Sequence, residues 1–272
     1  MSDRLAEMFA RTHALGRPAL IPFVPGGWPE PDATLQIALA AVAGGADALE
    51  IGMPFSDPLA DGATNQLAYQ QALAQGVSVP KVLAAVREIR GAGVSIPLLL
   101  MGYCNPLLAY GMDRFVHDAA EAGVDGLIIV DLPPEEAAEL EVPARAAGLH
   151  LVYLLAPTST LDRIALVAAH ASGFIYCVSV AGVTGSRTAL SDEVPAFLAR
   201  VRQETDLPLA IGFGISTPEQ VEVMGRVADA VVVGSAFVQA VEAAPLERRA
   251  ETVRAFVEGL AGRDGRAAAT AD

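Results

Sequence analysis

Three carboxylates, Glu50, Asp57 and Asp61, fall within one short block, Leu49-Glu50-Ile51-Gly52-Met53-Pro54-Phe55-Ser56-Asp57-Pro58-Leu59-Ala60-Asp61-Gly62. Side chains alternate along a strand, so Glu50 shares a face with Ala48 and Gly52 while Leu49 and Ile51 take the other. Small residues beside a glutamate, with bulky aliphatics behind it, suit a strand whose glutamate faces a cavity and whose back packs on helices. Met53-Pro54 stops the strand, and Pro58 stiffens the run toward Asp61. A glutamate in an apolar mouth has its ionised form disfavoured, which lifts its pKa toward neutrality and suits it to shuttling protons. The same residues also fit a plainer reading: a buried structural glutamate paired with an arginine, with Asp57 and Asp61 as turn formers or caps.

Other reactive residue types are scarce or badly placed. The only lysine, Lys81, starts a helix after Pro80 and does not point at a strand end, which speaks against Schiff-base chemistry. His13 precedes the first strand, His117 lies within a helix, His150 opens a strand at its wrong end, and His170 closes a helix. They do not converge as metal ligands, so no metal is expected. Cys104 and Cys177 lack metal-like spacing and read as buried free thiols. Asp131, directly after Leu127–Val130, reads first as a turn or cap residue. Tyr176 alternates with Phe174 and Val178 and is either a core aromatic or a hydroxyl in the cavity. What remains is acid–base work by carboxylates without a metal.

The elements that must position these groups repeat along the chain. Strands are expected at Ala19–Val24, around Glu50, and at Pro97–Tyr103, Gly126–Val130, His150–Ala156, Phe174–Ser179, Pro208–Gly212 and Ala230–Val233. Helices fall between them, two of them (Thr64–Ala74 and Pro80–Arg90) after the second strand and one at Pro134–Ala147 after the fourth, while Asn105, Pro106 and Leu107 are expected in a loop after the third strand. A further helix, Leu5 to about Ala14, precedes the first strand, and a last one spans Leu246–Leu260. Near-continuous apolar strands alternating with helices indicate parallel strands buried on both faces. The units are even in length and no Gly-x-Gly-x-x-Gly turn follows the first strand, which favours an α/β fold of the (β/α)₈ TIM-barrel type over an open doubly wound sheet. The 272 residues match the roughly 250 of such a barrel. Residues 1–261 are expected to form a single domain, with 262–272 a disordered tail.

A hydrophobic fraction of 53% permits a large core, yet no apolar run is long enough to span a membrane. The charged, amphipathic N-terminus has no signal-peptide core, so a cytoplasmic protein is expected. A net charge of −14 argues against nucleic acid and anionic membranes as partners. Glycines and serines after the last strands suggest how such an acidic chain binds an anion. Ala181-Gly182-Val183-Thr184-Gly185-Ser186 follows the sixth strand, Gly212-Phe213-Gly214-Ile215-Ser216 the seventh, and Gly234-Ser235 the eighth, where a helix opens. Glycines let backbone amides approach a phosphate, and a helix N-terminus adds a favourable dipole. The loops after strands seven and eight are the usual phosphate site of this barrel.

The block from Leu49 to Gly62 closely resembles the signature of the tryptophan synthase alpha-chain family, and the loops at Ala181–Gly185 and Gly212–Ser216 resemble that family's mobile loop and phosphate loop. The similarity runs in register from about Leu5 to Leu260. It implies retro-aldol cleavage of indole-3-glycerol phosphate to indole and glyceraldehyde 3-phosphate, with no cofactor in this chain. It also implies a beta chain, carrying pyridoxal phosphate, that receives the indole, in an alpha2beta2 tetramer. By the resemblance, Glu50 is the general acid–base and Asp61 the carboxylate that holds the indole N–H. Phe23, Tyr176, Thr184 and Phe213 match pocket or lid residues, and Gly185, Gly214, Gly234 and Ser235 match phosphate contacts. Pro54, Asp57, Asn105, Pro106 and Leu107 match positions that meet the beta chain.

Two places depart from the family pattern. Pro25-Gly26-Gly27-Trp28-Pro29 replaces the usual Thr and Gly-Asp-Pro after the first strand, and Val180 stands where some members have Arg. Neither touches the two carboxylates; both bear on loop closure and signalling. Rival readings are another phosphate-binding barrel, such as an isomerase or an indole-ring-forming synthase, a free-standing lyase that releases indole, and a non-catalytic allosteric partner of a beta chain. The ring-forming synthase would need a strand-end lysine, which is missing.

Overall fold

Among the described residues nine short parallel strands share one sheet in the order β5-β4-β3-β2-β1-β9-β8-β7-β6. They are β1 (Ala19–Pro25), β2 (Leu49–Gly52), β3 (Leu98–Gly102), β4 (Gly126–Ile129), β5 (His150–Leu151), β6 (Leu154–Leu155), β7 (Ile175–Val178), β8 (Leu209–Gly212) and β9 (Ala230–Val233). The α-helices are α1 (Arg4–Ala14), α2 (Ala33–Gly44), α3 (Ala63–Ala74), α4 (Val79–Gly91), α5 (Cys104–Tyr110), α6 (Met112–Ala122), α7 (Ala138–Ala146), α8 (Leu161–His170), α9 (Glu193–Arg202), α10 (Pro218–Gly225), α11 (Ser235–Ala243) and α12 (Arg249–Leu260). The structure is a computed structural model that describes residues 3–178, 193–212 and 214–262. The expected tail therefore falls, but for Gly262, outside the described residues, as do Val180, Phe213 and the whole of the loop at 181–190.

The two ends of the strand order meet in one stretch of chain. Only Val152 and Tyr153 separate β5, which pairs with β4, from β6, which pairs with β7. The Val152 amide donates to the Leu127 carbonyl at 2.9 Å, and the Tyr176 amide donates to the Tyr153 carbonyl at 3.0 Å. The ladder thus crosses both linking residues, and β5 with β6 makes a single stave that closes the barrel with eight staves. The sequence reads His150–Ala156 as one unbroken strand; it divides where its hydrogen bonding passes from one neighbour to the other.

Side-chain alternation gives two apolar regions. Leu49, Ile51, Leu98, Leu100, Val231 and Val233 point outward and pack under the helices. Ala48, Leu99, Ile128, Phe174, Ala210 and Val232 point inward and fill the barrel, as expected for Ala48 and for the Phe174-Tyr176 face. Beneath them α1 supplies Leu5, Met8 and Phe9, and Phe9 meets Phe174 edge-on at 5.9 Å. The extra N-terminal helix is therefore the floor of the barrel, and its amphipathic pattern exists to bury that stripe.

A repeated device ties the N-terminal rim. Asp47, Asp125 and Asp229 stand just before β2, β4 and β9, and their amides donate to the carbonyls of Leu20, Leu98 and Leu209 on a neighbouring strand. Each carboxylate accepts the amide of that same residue in return, at 3.0, 2.8 and 2.7 Å. Arginines complete each clamp: Arg11 and Arg17 on Asp47, Arg4 and Arg90 on Asp125, and Arg202 on Asp229.

Three expectations change. Asn105 to Leu107, read as loop, lie in the helix α5, whose first amide, that of Cys104, is held by the Asp131 carboxylate at 2.8 Å. The expected helix Pro134–Ala147 opens as a 3₁₀ turn, Pro134–Glu136, and the final helix likewise begins as Leu246–Arg248 before α12. Each turn follows a proline, which fixes its own φ but cannot donate to the turn before it. Among the described residues no helix is long and apolar enough to cross a membrane.

Candidate active site

At the C-terminal ends of the strands the inward side chains leave a cavity of about 260 Å³, whose wall includes Phe23, Glu50, Asp61 and Tyr176. β2 delivers Glu50, which pairs across the ladder with Phe23 on one side and Leu99 on the other. Glu50 is 2% exposed, and its Oε2 has no hydrogen-bond partner. Among the described residues no arginine or lysine pairs with it, so the plainer reading of a structural ion pair does not hold. Burial, reinforced by the charge of Asp61, pushes its pKa up to about 8.

Asp61 reaches the same wall from the loop after β2, one residue before the cap of α3. Its two oxygens are held differently. Oδ2 accepts from the Tyr103 hydroxyl at 2.7 Å, and Oδ1 from the Asn65 side-chain amide at 3.1 Å. Burial raises the Asp61 pKa above the usual carboxylate range, and the bonds from Tyr103 and Asn65 limit the rise. Two carboxylates with different environments can divide acid and base roles, the one with the higher pKa keeping its proton.

Tyr176 lines the cavity and also packs against the inner apolar cluster. Room for it comes from Gly212 on the neighbouring strand, where a Cβ would sit 2.4 Å from the Tyr176 hydroxyl. Its phenol is raised well above its ordinary value by burial and then by the charges of Glu50 and Asp61, so it stays protonated. Much of the remaining wall is apolar, from residues such as Met101, Ile128, Leu154 and Val232. The cavity thus suits a flat apolar group with one polar edge.

Gly214, Gly234 and Ser235 complete the cavity wall. Gly234 caps α11 with no side-chain hydrogen bond, and a Cβ built on it would meet no atom within 4 Å. Among the described residues no side chain caps this nine-residue helix, whose start lies beside the cavity, the arrangement that binds anions. Thr184, Gly185 and Phe213 lie outside the described residues.

Other expected groups sit elsewhere. None of the four histidines lines the cavity. On the surface His117, Asp118 and Glu121 have ligand atoms within 4.8 Å of one another, with no second histidine among them. They lie on the outer face of α6, where Arg114 and Tyr110 engage Asp118 and His117 pairs with Glu121. Cys177 is buried, while Cys104 is only half-buried. Of the positions matched to a partner surface, Asp57 and Asn105 are exposed and Pro106 is half-buried, but Pro54 and Leu107 are buried. Leu107 lies on the inner face of α5 and belongs to the core; the exposed apolar side chains there are Leu59, at 91%, and Leu108, at 56%. Sequence reading missed Tyr103 and Asn65. Asn65 is four residues after Asp61 at a helix start, a spacing that places both on one face; Tyr103 stands one residue beyond a barrel strand.

The model of the family described as "Tryptophan synthase alpha chain" matches residues 9–263. The chain belongs to the tryptophan synthase alpha-chain family. A family relative from a Roseiflexus species is 49% identical over 96% of this chain and 100% of its own length. Another, from Gluconacetobacter diazotrophicus, is 52% identical over 88% of each. Among solved structures, the tryptophan synthase alpha subunit of Legionella pneumophila superposes with a TM-score of 0.89 at 34% identity, covering 97% of this chain and 99% of that one. A Mycobacterium tuberculosis tryptophan synthase chain gives 0.86 at 38% identity, covering 97% and 98%. Family membership thus covers the barrel and both ends of the cavity, including its carboxylate pair.

Proposed function

We propose that this chain cleaves indole-3-glycerol phosphate to indole and glyceraldehyde 3-phosphate by acid–base catalysis, as the alpha subunit of a tryptophan synthase. The observation that carries the reading is the buried Glu50 carboxyl, its Oε2 without a partner, beside Asp61 in a largely apolar cavity at the strand ends of a family barrel. Near neutrality Glu50 holds a proton and gives it to the indole ring carbon that bears the glycerol chain. Positive charge then develops on the ring nitrogen, whose N–H faces the Asp61 carboxylate. The carbon–carbon bond breaks, its electron pair returns to the ring, and the carbinol hydroxyl passes its proton to Glu50 as it becomes the aldehyde. The proton gained by carbon and the proton lost by oxygen balance, so Glu50 ends as it began.

The substrate phosphate sits against Gly214, Gly234 and the start of α11, with Gly185 and the lid residue Thr184 closing from the loop after β7. Residues 1–261 act as one barrel domain in the cytoplasm, needing no cofactor of their own. The surface around Asp57, Asn105, Leu59 and Leu108 receives a beta chain that carries pyridoxal phosphate, in an alpha2beta2 assembly. Intact carboxylates count against a purely allosteric role. Mixing the purified chain with indole-3-glycerol phosphate and following indole release tests the reading; adding a beta chain raises the rate if the partner is engaged. No indole under either condition would end it, and full activity unaffected by any beta chain would leave a free-standing lyase.

The phosphate end has its own expected result. In Gly234→Val the new side chain occupies the open space beside the α11 amides, so KM for the phosphorylated substrate rises by about 10-fold or more, the scale of one lost charge-assisted hydrogen bond. Steady-state kinetics check this, and an unchanged KM places the anion elsewhere.

A further inference from the structure

Asp61 is gripped from two elements that have no other reason to meet at its carboxylate. Tyr103 follows β3 and caps α5, while Asn65 lies in the first turn of α3. The Ala60 amide donates to the Tyr103 oxygen at 3.0 Å. An amide can only donate, so the single phenolic hydrogen is left for Asp61 Oδ2 and the direction of that bond is fixed. The ring itself is set by Phe55, with centroids 5.3 Å apart. On the other side, Asn65 spends an amide hydrogen on Asp61 Oδ1 while its own carbonyl oxygen is buried without a partner. A buried acceptor left unmade is costly, so the amide is oriented by Asp61 and not by its own needs.

We propose that Tyr103 and Asn65 are positioning residues that clamp Asp61 from both oxygens and aim its remaining lone pairs at the substrate N–H. The inference rests on the reaction proposed above and adds to it two residues that the site motifs do not contain. Both clamp bonds favour the ionised carboxylate. Among the described residues the groups acting on Asp61 are Glu50 from β2, Tyr176 from β7, Tyr69 and Asn65 from α3, and Tyr103, which the charge of Asp131 also affects. All three phenols are raised, chiefly by burial, so they remain neutral.

The test is the pH dependence of indole release by the full chain carrying Tyr103→Phe or Asn65→Leu, each with and without Asp61→Asn. Phe keeps the ring on Phe55, and Leu keeps the volume of Asn, so thermal melts should stay close to the parent. Each single variant is expected to lower kcat about 10- to 100-fold, the worth of one hydrogen bond to a charged group. Each should also move the acid limb of kcat/KM about one pH unit upward, because Asp61 loses a donor that favours its charged form. In the Asp61→Asn background neither substitution should cost more than about 2-fold, since residues acting through one group are not additive. An unmoved acid limb, or the same loss with and without Asp61, overturns the clamp and leaves Tyr103 as a loop anchor. A parent chain that releases no indole overturns the reaction itself, and the clamp with it; an active parent with unmoved variants overturns the clamp alone.

Discussion

Glu50→Gln is expected to cleave indole-3-glycerol phosphate about 10²- to 10⁴-fold more slowly than the parent, the usual contribution of a positioned general acid–base. It should also be more stable above neutral pH. Both results follow from one fact: the carboxyl is buried, has a partnerless oxygen and is pushed up to about 8. The folded pKa lies above the unfolded one, so the native chain binds more protons than the unfolded chain between them. Stability therefore falls as pH rises from the ordinary glutamate range toward 8. At pH 7 that burial costs about 3 kcal/mol, which the neutral amide does not incur. Melting curves at pH 5 and pH 8 check the stability half: little difference at the first, a higher Tm for the variant at the second. Asp61→Asn should lose less turnover, because an amide oxygen still meets the indole N–H but does not offset its positive charge. A Glu50→Gln chain with near-normal turnover would remove Glu50 from the mechanism, whatever its Tm.

That stability cost also explains why the catalytic strand was the clearest part of the sequence. A glutamate between Ala48 and Gly52, backed by Leu49 and Ile51, makes no sense as a surface pattern and little as a core pattern. Barrel staves were legible for the same reason, since parallel strands buried on both faces need apolar residues at every position. Less legible was whatever depends on pairing in three dimensions. The division of His150–Leu155 comes from two neighbours claiming different residues of one run. Helix α5 was hidden by Pro106, which fits a first turn as well as a loop. Its apolar residues then read as a partner surface, although Leu107 is buried beneath it. Tyr103 and Asn65 carry no motif; their role exists only because β3 and α3 bring them to opposite oxygens of Asp61. The rim aspartates carry no motif, and their arginines lie far away in the chain.

The same barrel can be weakened from its other end without touching the chemistry. Asp47 is 3% exposed and accepts from Arg17 at 2.6 and 2.9 Å, from Arg11 at 3.2 Å and from the Leu20 amide at 3.0 Å. Asp47→Ala strands a buried amide and two guanidinium groups that are only partly open to water. Truncating one member of a buried pair costs about 3–5 kcal/mol, and the partial exposure of Arg11 and Arg17 puts this case near the lower figure. At about 2–4 °C per kcal/mol for a chain of this size, Tm should fall by roughly 6–12 °C. Asp47→Asn should fall less, because an amide oxygen still accepts from Leu20. The carboxyl also sets an acid limit. Burial raises its pKa, but the bonds from Arg17, Leu20 and Arg11 outweigh that and leave it below the ordinary value. With the folded pKa depressed, the contribution is complete above the unfolded pKa and is lost as pH falls through the folded one. The parent should therefore lose Tm faster than Asp47→Ala below about pH 4, and the two curves should approach each other in acid. Because Asp47 stands at the N-terminal rim, away from the strand ends that hold Glu50 and Asp61, kcat measured well below Tm should match the parent. A Tm drop that persists undiminished in acid would show that packing at β2, and not the charge clamp, accounts for the loss.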